Sequence, residues 1–205
     1  MPQSAQPVSA EQVQAWVKMY QVDAARLMRF KFLFRDSRSS AGGKGTARLA
    51  APDTVRIDVA GPLGAGAGGA MVVDDSVVWA DPPDILKKFV PDYPLMWALF
   101  GVARPPAEGA ELRGMSDARI TAWQYIAGED TVEYARVSGD TPRFLAESRR
   151  GGNVLGRADV ILGADGTPVS ARLTVPSGPA RLDITFVASQ TREPFGPETW
   201  TPRKP

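Results

Sequence analysis

Cysteine and histidine are both absent from the 205 residues. Their absence removes thiolate nucleophiles, imidazole bases, structural zinc and most transition-metal sites together, so few enzyme mechanisms remain and neither a metal nor another cofactor is expected. No disulfide framework holds the fold either. An excess of one charge is also missing, with 24 Lys and Arg against 23 Asp and Glu. The charges read as spread along the chain rather than clustered, so no basic field is expected to hold nucleic acid. Long apolar runs are lacking too: the longest, from Leu95 to Ala103 between Pro94 and Arg104, falls far short of the roughly 20 residues that span a membrane as a helix. The opening Met1-Pro2-Gln3-Ser4 shows no basic segment leading into an apolar one, so an export signal is expected to have been removed or never to have existed.

What is present suffices for one sizeable core, since 43% of residues are apolar and no low-complexity boundary divides the chain. A single domain over 1–205 is expected, with 1–8 and 192–205 as flexible or extended tails. Ser9 and Gln12 form a capping box, and Val13, Trp16, Val17, Tyr20 and Ala24 recur at helical spacing, which predicts one helix over 9–25. The period then changes to two. Met28, Phe30, Phe32 and Phe34 share one face of a strand, with Arg29, Lys31, Leu33 and Arg35 on the other.

A Ser/Gly-rich turn is expected at 37–43 and strands at 44–50, 54–60, 69–73 and 76–80. Pro82-Pro83 interrupts them, and 84–90 and 94–101 read as two short helices placed to act as a lid. Further strands follow over 118–188, with turn signals at Glu129-Asp130, Gly139-Asp140, Gly151-Gly152, Asp165-Gly166 and Ser177-Gly178. The expected fold class is mainly β with helices (α+β): an incomplete antiparallel β-barrel of roughly eleven strands with a long N-terminal helix and a short helical lid.

Chemistry-bearing patterns are sparse. Gly42-Gly43-Lys44-Gly45-Thr46 lacks the order of a phosphate loop and reads as a structural turn. The glycine run 64–69 reads as a hairpin loop, because no helix follows to aim amides at an anion. Asp74-Asp75 sits where a hairpin must turn, Asp84 lies near a helix start, and Arg149-Arg150 precedes a Gly-Gly turn, so solvated structural roles are favoured over cation, acid-base or phosphate chemistry. The rings of Phe30, Phe32, Phe34, Trp79 and Trp123 are either plain core or the wall of an incompletely filled barrel.

Several residues carry a resemblance. Gly45, Arg48, Pro52, Arg56-Ile57-Asp58-Val59, Gly61-Pro62-Leu63-Gly64, Asp74-Asp75, Val78-Trp79 and Pro82 resemble the LolA/LolB lipoprotein-localisation family, the Pro-Leu-Gly element being the version of its outer-membrane receptor, LolB. Asp84-Ile85-Leu86, Pro94-Leu95, Trp97-Ala98-Leu99-Phe100-Gly101 and Pro105 look like that receptor's segment after the lid. Beyond 110 only the strand rhythm and Ala122-Trp123-Gln124-Tyr125 are similar. Ala51, not arginine, precedes Pro52, so the carrier's lid latch is missing.

The resemblance implies a periplasmic protein, not an enzyme, that accommodates lipoprotein acyl chains in an apolar cavity and helps deliver them to the outer membrane. It would be anchored there through an N-terminal lipid that this cysteine-free sequence does not show. The implied cavity residues are Phe30, Phe32, Phe34, Ile57, Val59, Trp79, Leu86, Phe89, Leu95 and Leu99, and Leu63 would contact the membrane from its loop. The implied partners are lipoprotein acyl chains or another lipid, a periplasmic lipoprotein carrier and the inner leaflet of the outer membrane. The alternatives are a carrier or sensor of another lipid or glycolipid, and an interaction protein whose barrel is packed solid.

Overall fold

The computed structural model describes residues 5–62, 66–86, 90–178 and 180–202. Leu63 and Phe89 lie outside the described residues. After a two-residue strand β1 (Gln6–Pro7), helix α1 (Ala10–Lys18) begins at Ser9, whose hydroxyl accepts the amide of Gln12. It ends well before the expected residue 25. Tyr20 and Val22 are buried in the core, Tyr20 stacks on Phe144 at 4.4 Å, and its carbonyl accepts the amide of Ala103. Tertiary packing therefore outweighs the helical spacing beyond residue 18.

Five strands follow as a meander: β2 (Arg26–Arg35), β3 (Ser40–Ala50), β4 (Thr54–Ala60), β5 (Ala67–Val73) and β6 (Ser76–Asp81). A linker carries helix α2 (Tyr93–Ala98), started by Asp92, whose carboxylate accepts the amide of Leu95. A second meander completes the sheet: β7 (Glu111–Ser116), β8 (Ile120–Ala127), β9 (Asp130–Val137), β10 (Arg143–Arg150), β11 (Asn153–Leu162), β12 (Pro168–Val175) and β13 (Ala180–Thr191). Four of the five expected turns of this half fall between strands, and of the fifth, Glu129-Asp130, Asp130 already opens β9.

Among the described residues, thirteen strands form one antiparallel sheet in which β13 pairs with β2 and joins the two meanders, while β1 pairs with β7 at one end and β6 ends the other. The sheet does not close. The helical linker runs from the β6 end back to β7, and α2 packs against β10 and β11 on the inner face. In the first expected lid helix, Ile85 and Leu86 are helical and Val90 donates to the carbonyl of Leu86.

The expected eleven strands miss β1 and β7. The β7 pattern is hidden because its inward position is Gly114, where a Cβ would meet the ring of Trp16 from α1. A glycine here makes room for a tryptophan from another element, and the apolar alternation disappears from the sequence. Gly42 to Thr46 is likewise strand rather than turn: it lies inside β3. On the outer face most charges are paired, as Asp183 is with Arg172 and Arg181 and as Arg150 is with Asp130. The tail adopts one 3-10 turn, Pro197–Trp200, with Phe195 edge-on to Trp200.

Candidate functional site

Parity on β2 directs Met28, Phe30, Phe32 and Phe34 inward, and their partners on β3 are Ala47, Gly45, Gly43 and Ala41. A Cβ at Gly45 would meet the ring of Phe30, and one at Gly43 the ring of Phe32. The glycines that resemble a phosphate loop in sequence thus form a floor on which the two rings lie. On β4 the inward residues Val55, Ile57 and Val59 continue the wall, opposite Leu49, Ala47 and Gly45.

Over this wall lies the linker. Leu86, Val90, Met96, Leu99 and Phe100 cover Phe30, Phe32, Ile57, Val59, Leu182 and Ile184, leaving a pocket of about 60 Å³. Every lining residue is apolar. Ile85 anchors the cover at its start, since a Cβ on Gly68 would collide with its side chain. The volume is well below the ~150 Å³ that takes a benzene. Phe32, Ile57, Val59, Leu86 and Val90 are nonetheless only partly buried, so the pocket wall reaches solvent.

Of the cavity residues expected from sequence, Phe30, Phe32, Ile57, Val59, Leu86 and Leu99 line this pocket. Phe34 packs against the core beside it, next to Leu182. Leu95 is fully buried on the far side of α2, against Gly156 of β11. Trp79 is on the other face of the sheet. A bulge at Val78 shifts the register between Met71 and Val72, so Trp79 pairs with outward Met71. There its Nε1 donates to the carbonyl of Trp200, and the Arg56 guanidinium stacks on its ring at 5.1 Å. Arg56 also donates to the carbonyls of Thr199 and Thr201 and to Asp58, which pins the tail to the outer face.

The other end of the interior is packed with rings. Trp123 and Tyr134 are 5.5 Å apart, Tyr134 and Phe144 5.7 Å, and Trp16 and Tyr20 complete the cluster from the α1 side. Trp123 Nε1 donates to the Tyr125 hydroxyl, which donates to the carbonyl of Arg104, while the Arg104 amide donates to the Tyr134 hydroxyl. Burial pushes the Tyr20 phenol up to about 12 and raises Tyr125 and Tyr134 further, so these hydroxyls stay protonated.

Sequence reasoning placed no weight on Arg104, yet it ties the two ends of the open sheet. Its guanidinium is buried, lies over the Trp97 ring at 5.2 Å and pairs with Asp74 in the β5–β6 turn. Trp97 Nε1 donates to the carbonyl of the same Asp74, which has φ 56°. Arg104 Nε has no hydrogen-bond partner among the described residues, the Asp75 carboxylate being 3.6 Å away. Burial is the main cause that raises the carboxyls of Asp75 and Asp92 above the usual aspartate range, and it lowers Arg104. The expected solvated turn at Asp74-Asp75 is there, with both carboxylates exposed, and it also receives the buried Arg104 guanidinium. Arg149 and Arg150 remain structural, paired with Glu147 and Asp130. Among the described residues, no three Asp, Glu, His or Cys are grouped to hold a metal, and no helix is long and apolar enough to cross a membrane.

What fold and pocket define is an open antiparallel barrel with helices on its inner face and an apolar pocket beneath them. No family profile and no curated protein matches the sequence. Solved structures are more informative. A LolA superfamily protein from Nitrosomonas europaea superposes with a TM-score of 0.58 at 13% identity, over 95% of this chain and 98% of that one. A domain described as an outer membrane lipoprotein-sorting protein, from Vibrio parahaemolyticus, gives 0.56 at 9% identity, over 94% of this chain and 97% of that one. MucB, at 0.41 and 13% identity over 97% of this chain and 65% of that one, is too loosely alike to carry an argument. At such identities the likeness establishes a LolA-like fold and nothing finer.

Proposed function

We propose that the protein is a LolB-like periplasmic lipid-binding protein that takes an acyl chain of a lipoprotein into the pocket beneath α2 and helps pass it to the outer membrane. The observation that carries this reading is the wholly apolar wall of buried Phe30 and partly buried Phe32, Ile57 and Val59 under the linker segment. Such a surface gains roughly 25 cal/mol per Å² when a hydrocarbon chain covers it, and no group along it would orient a reaction. The pocket of about 60 Å³ is too small for a chain, so entry requires the linker segment bearing Leu86 and Val90 to lift. The Arg104–Asp74 clasp replaces the arginine that Ala51 does not supply.

Titration with a fluorescent fatty acid tests this. Saturable binding is expected, and Val59→Phe, which fills the pocket from a partly exposed position, is expected to weaken it roughly tenfold, the worth of about 1.4 kcal/mol. Absence of saturable binding by folded protein contradicts the proposal. One observation favours a second reading: the closed interior is nearly full. In that reading the barrel is solid and the protein works through its surface, so no chain binds at any concentration.

A further inference from the structure

The near-equal total of 24 basic and 23 acidic side chains conceals a segregation. Residues 26–50, the β2–β3 hairpin, hold seven basic side chains against a single acidic one, Asp36 in the turn, a net of +6 in a chain of net +1. Neither strand contains a carboxylate. The expectation of evenly spread charge is corrected here, because chain-wide counting averages this hairpin against the acidic remainder.

The register sharpens the asymmetry. Lys31 stands directly opposite Lys44, and Arg35 directly opposite Arg181. Like charges in such positions oppose strand pairing, and Asp183 answers Arg181 alone of the four. Among the described residues Arg29, Lys31, Arg35 and Lys44 make no ion pair, and all four are exposed. The outward row of β2 alternates them with aliphatics: Leu27, Arg29, Lys31, Leu33, Arg35. Val187, 57% exposed, stands beside this row at the β13 bulge next to Arg29.

We propose that the outer face of the β2–β3 hairpin docks the protein on an anionic phospholipid bilayer. Unpaired cations interleaved with aliphatic side chains along an extended strand match an interface of phosphate headgroups above acyl chains. Single-stranded nucleic acid would call for aromatic platforms, and this row has none. The inference deepens the delivery step of the proposed function and rests on its placement of the protein beside a membrane, but it uses no pocket side chain.

Sedimentation of the full chain with phosphatidylcholine vesicles, with and without phosphatidylglycerol, tests it. Binding is expected only to the anionic vesicles, and it is expected to fade at high salt. The Lys31→Gln/Lys44→Gln variant is expected to bind about 25-fold more weakly, at about fivefold per cation, with unchanged circular dichroism. Arg113→Gln, on exposed β7 and paired with Glu111, is expected to bind as wild type. Failure of wild type to sediment with anionic vesicles at low salt, or undiminished binding by the double variant, overturns the docking face. The fatty-acid titration on the same double variant separates the two readings: retained probe binding without vesicle binding leaves the pocket standing, and the reverse leaves the docking face standing.

Discussion

The interior around β8–β10 and the interior around β2–β4 are built from the same aromatic and aliphatic stock and arrive at different packing. In the first, Trp123, Tyr134 and Phe144 are fully buried, and the polar tips of Trp123, Tyr125 and Tyr134 are tied to one another or to the Arg104 backbone. Directional bonds leave each ring one position. In the second, Phe30 and Phe32 lie over glycines and face Ile57 and Val59, with no polar tip to fix them. A wall without directional bonds can part from its cover without leaving a buried donor or acceptor unpaired. Under the proposed function, the first half anchors and the second exchanges.

Truncation on each side tests the difference most forcefully. Trp123→Ala is expected to cost about 3–5 kcal/mol, read as a Tm lower by roughly 10 °C for a chain of this size. Phe32→Ala is expected to cost less than about half as much, because its ring is already partly solvated. Equal losses in thermal denaturation would erase the distinction between the halves.

Gly45→Leu is expected to come next, at about 1–3 kcal/mol of overpacking. Its side chain takes the place of the Phe30 ring and drives that ring into the pocket. Fatty-acid probe binding is expected to vanish while circular dichroism persists. Probe binding that survives would show that the glycine floor does not shape the pocket.

The legible part of this molecule lies where one strand face is uniformly apolar. Phe30, Phe32, Ile57 and Val59 are readable from alternation alone, and Leu86 and Leu99 from the apolar segments after Pro82-Pro83. Alternation misplaces Trp79, because the bulge at Val78 inserts a residue that parity cannot see. It misses β7 because Gly114 gives its inward space to Trp16. Arg104 is invisible for another reason: its ion pair with exposed Asp74 joins residues 30 positions apart, brought together only by the path of the linker across the sheet.

Smaller effects are expected from titration of the region over which the cover is fastened. Asp92 has its carboxyl raised by burial, so the contribution of its neutral form is full below the ordinary value of 3.8 and is lost as pH rises through the raised one. Asp92→Asn keeps a capping side chain. It is expected to raise Tm at pH 7 by about 2–4 °C, the worth of about 1 kcal/mol, and to give no gain below pH 3.8. A gain that is the same at both pH values would contradict the assignment. On the outer face the sign reverses. Arg181 and Arg172 outweigh burial at Asp183 and hold its carboxyl below the usual range, so its contribution is present above 3.8 and lost as pH falls through the lowered value. Asp183→Asn is expected to flatten the acid limb of thermal stability slightly, and an unchanged limb would contradict the pairing.

Solvent extraction of natively purified protein followed by mass spectrometry tests the acyl-binding pocket most directly. Acyl lipid is expected in the extract of wild type and is expected to be absent from that of Gly45→Leu. A clean extract from folded wild-type protein, with no lipid taken up when it is supplied, would contradict it and leave the barrel as a solid scaffold for its surface.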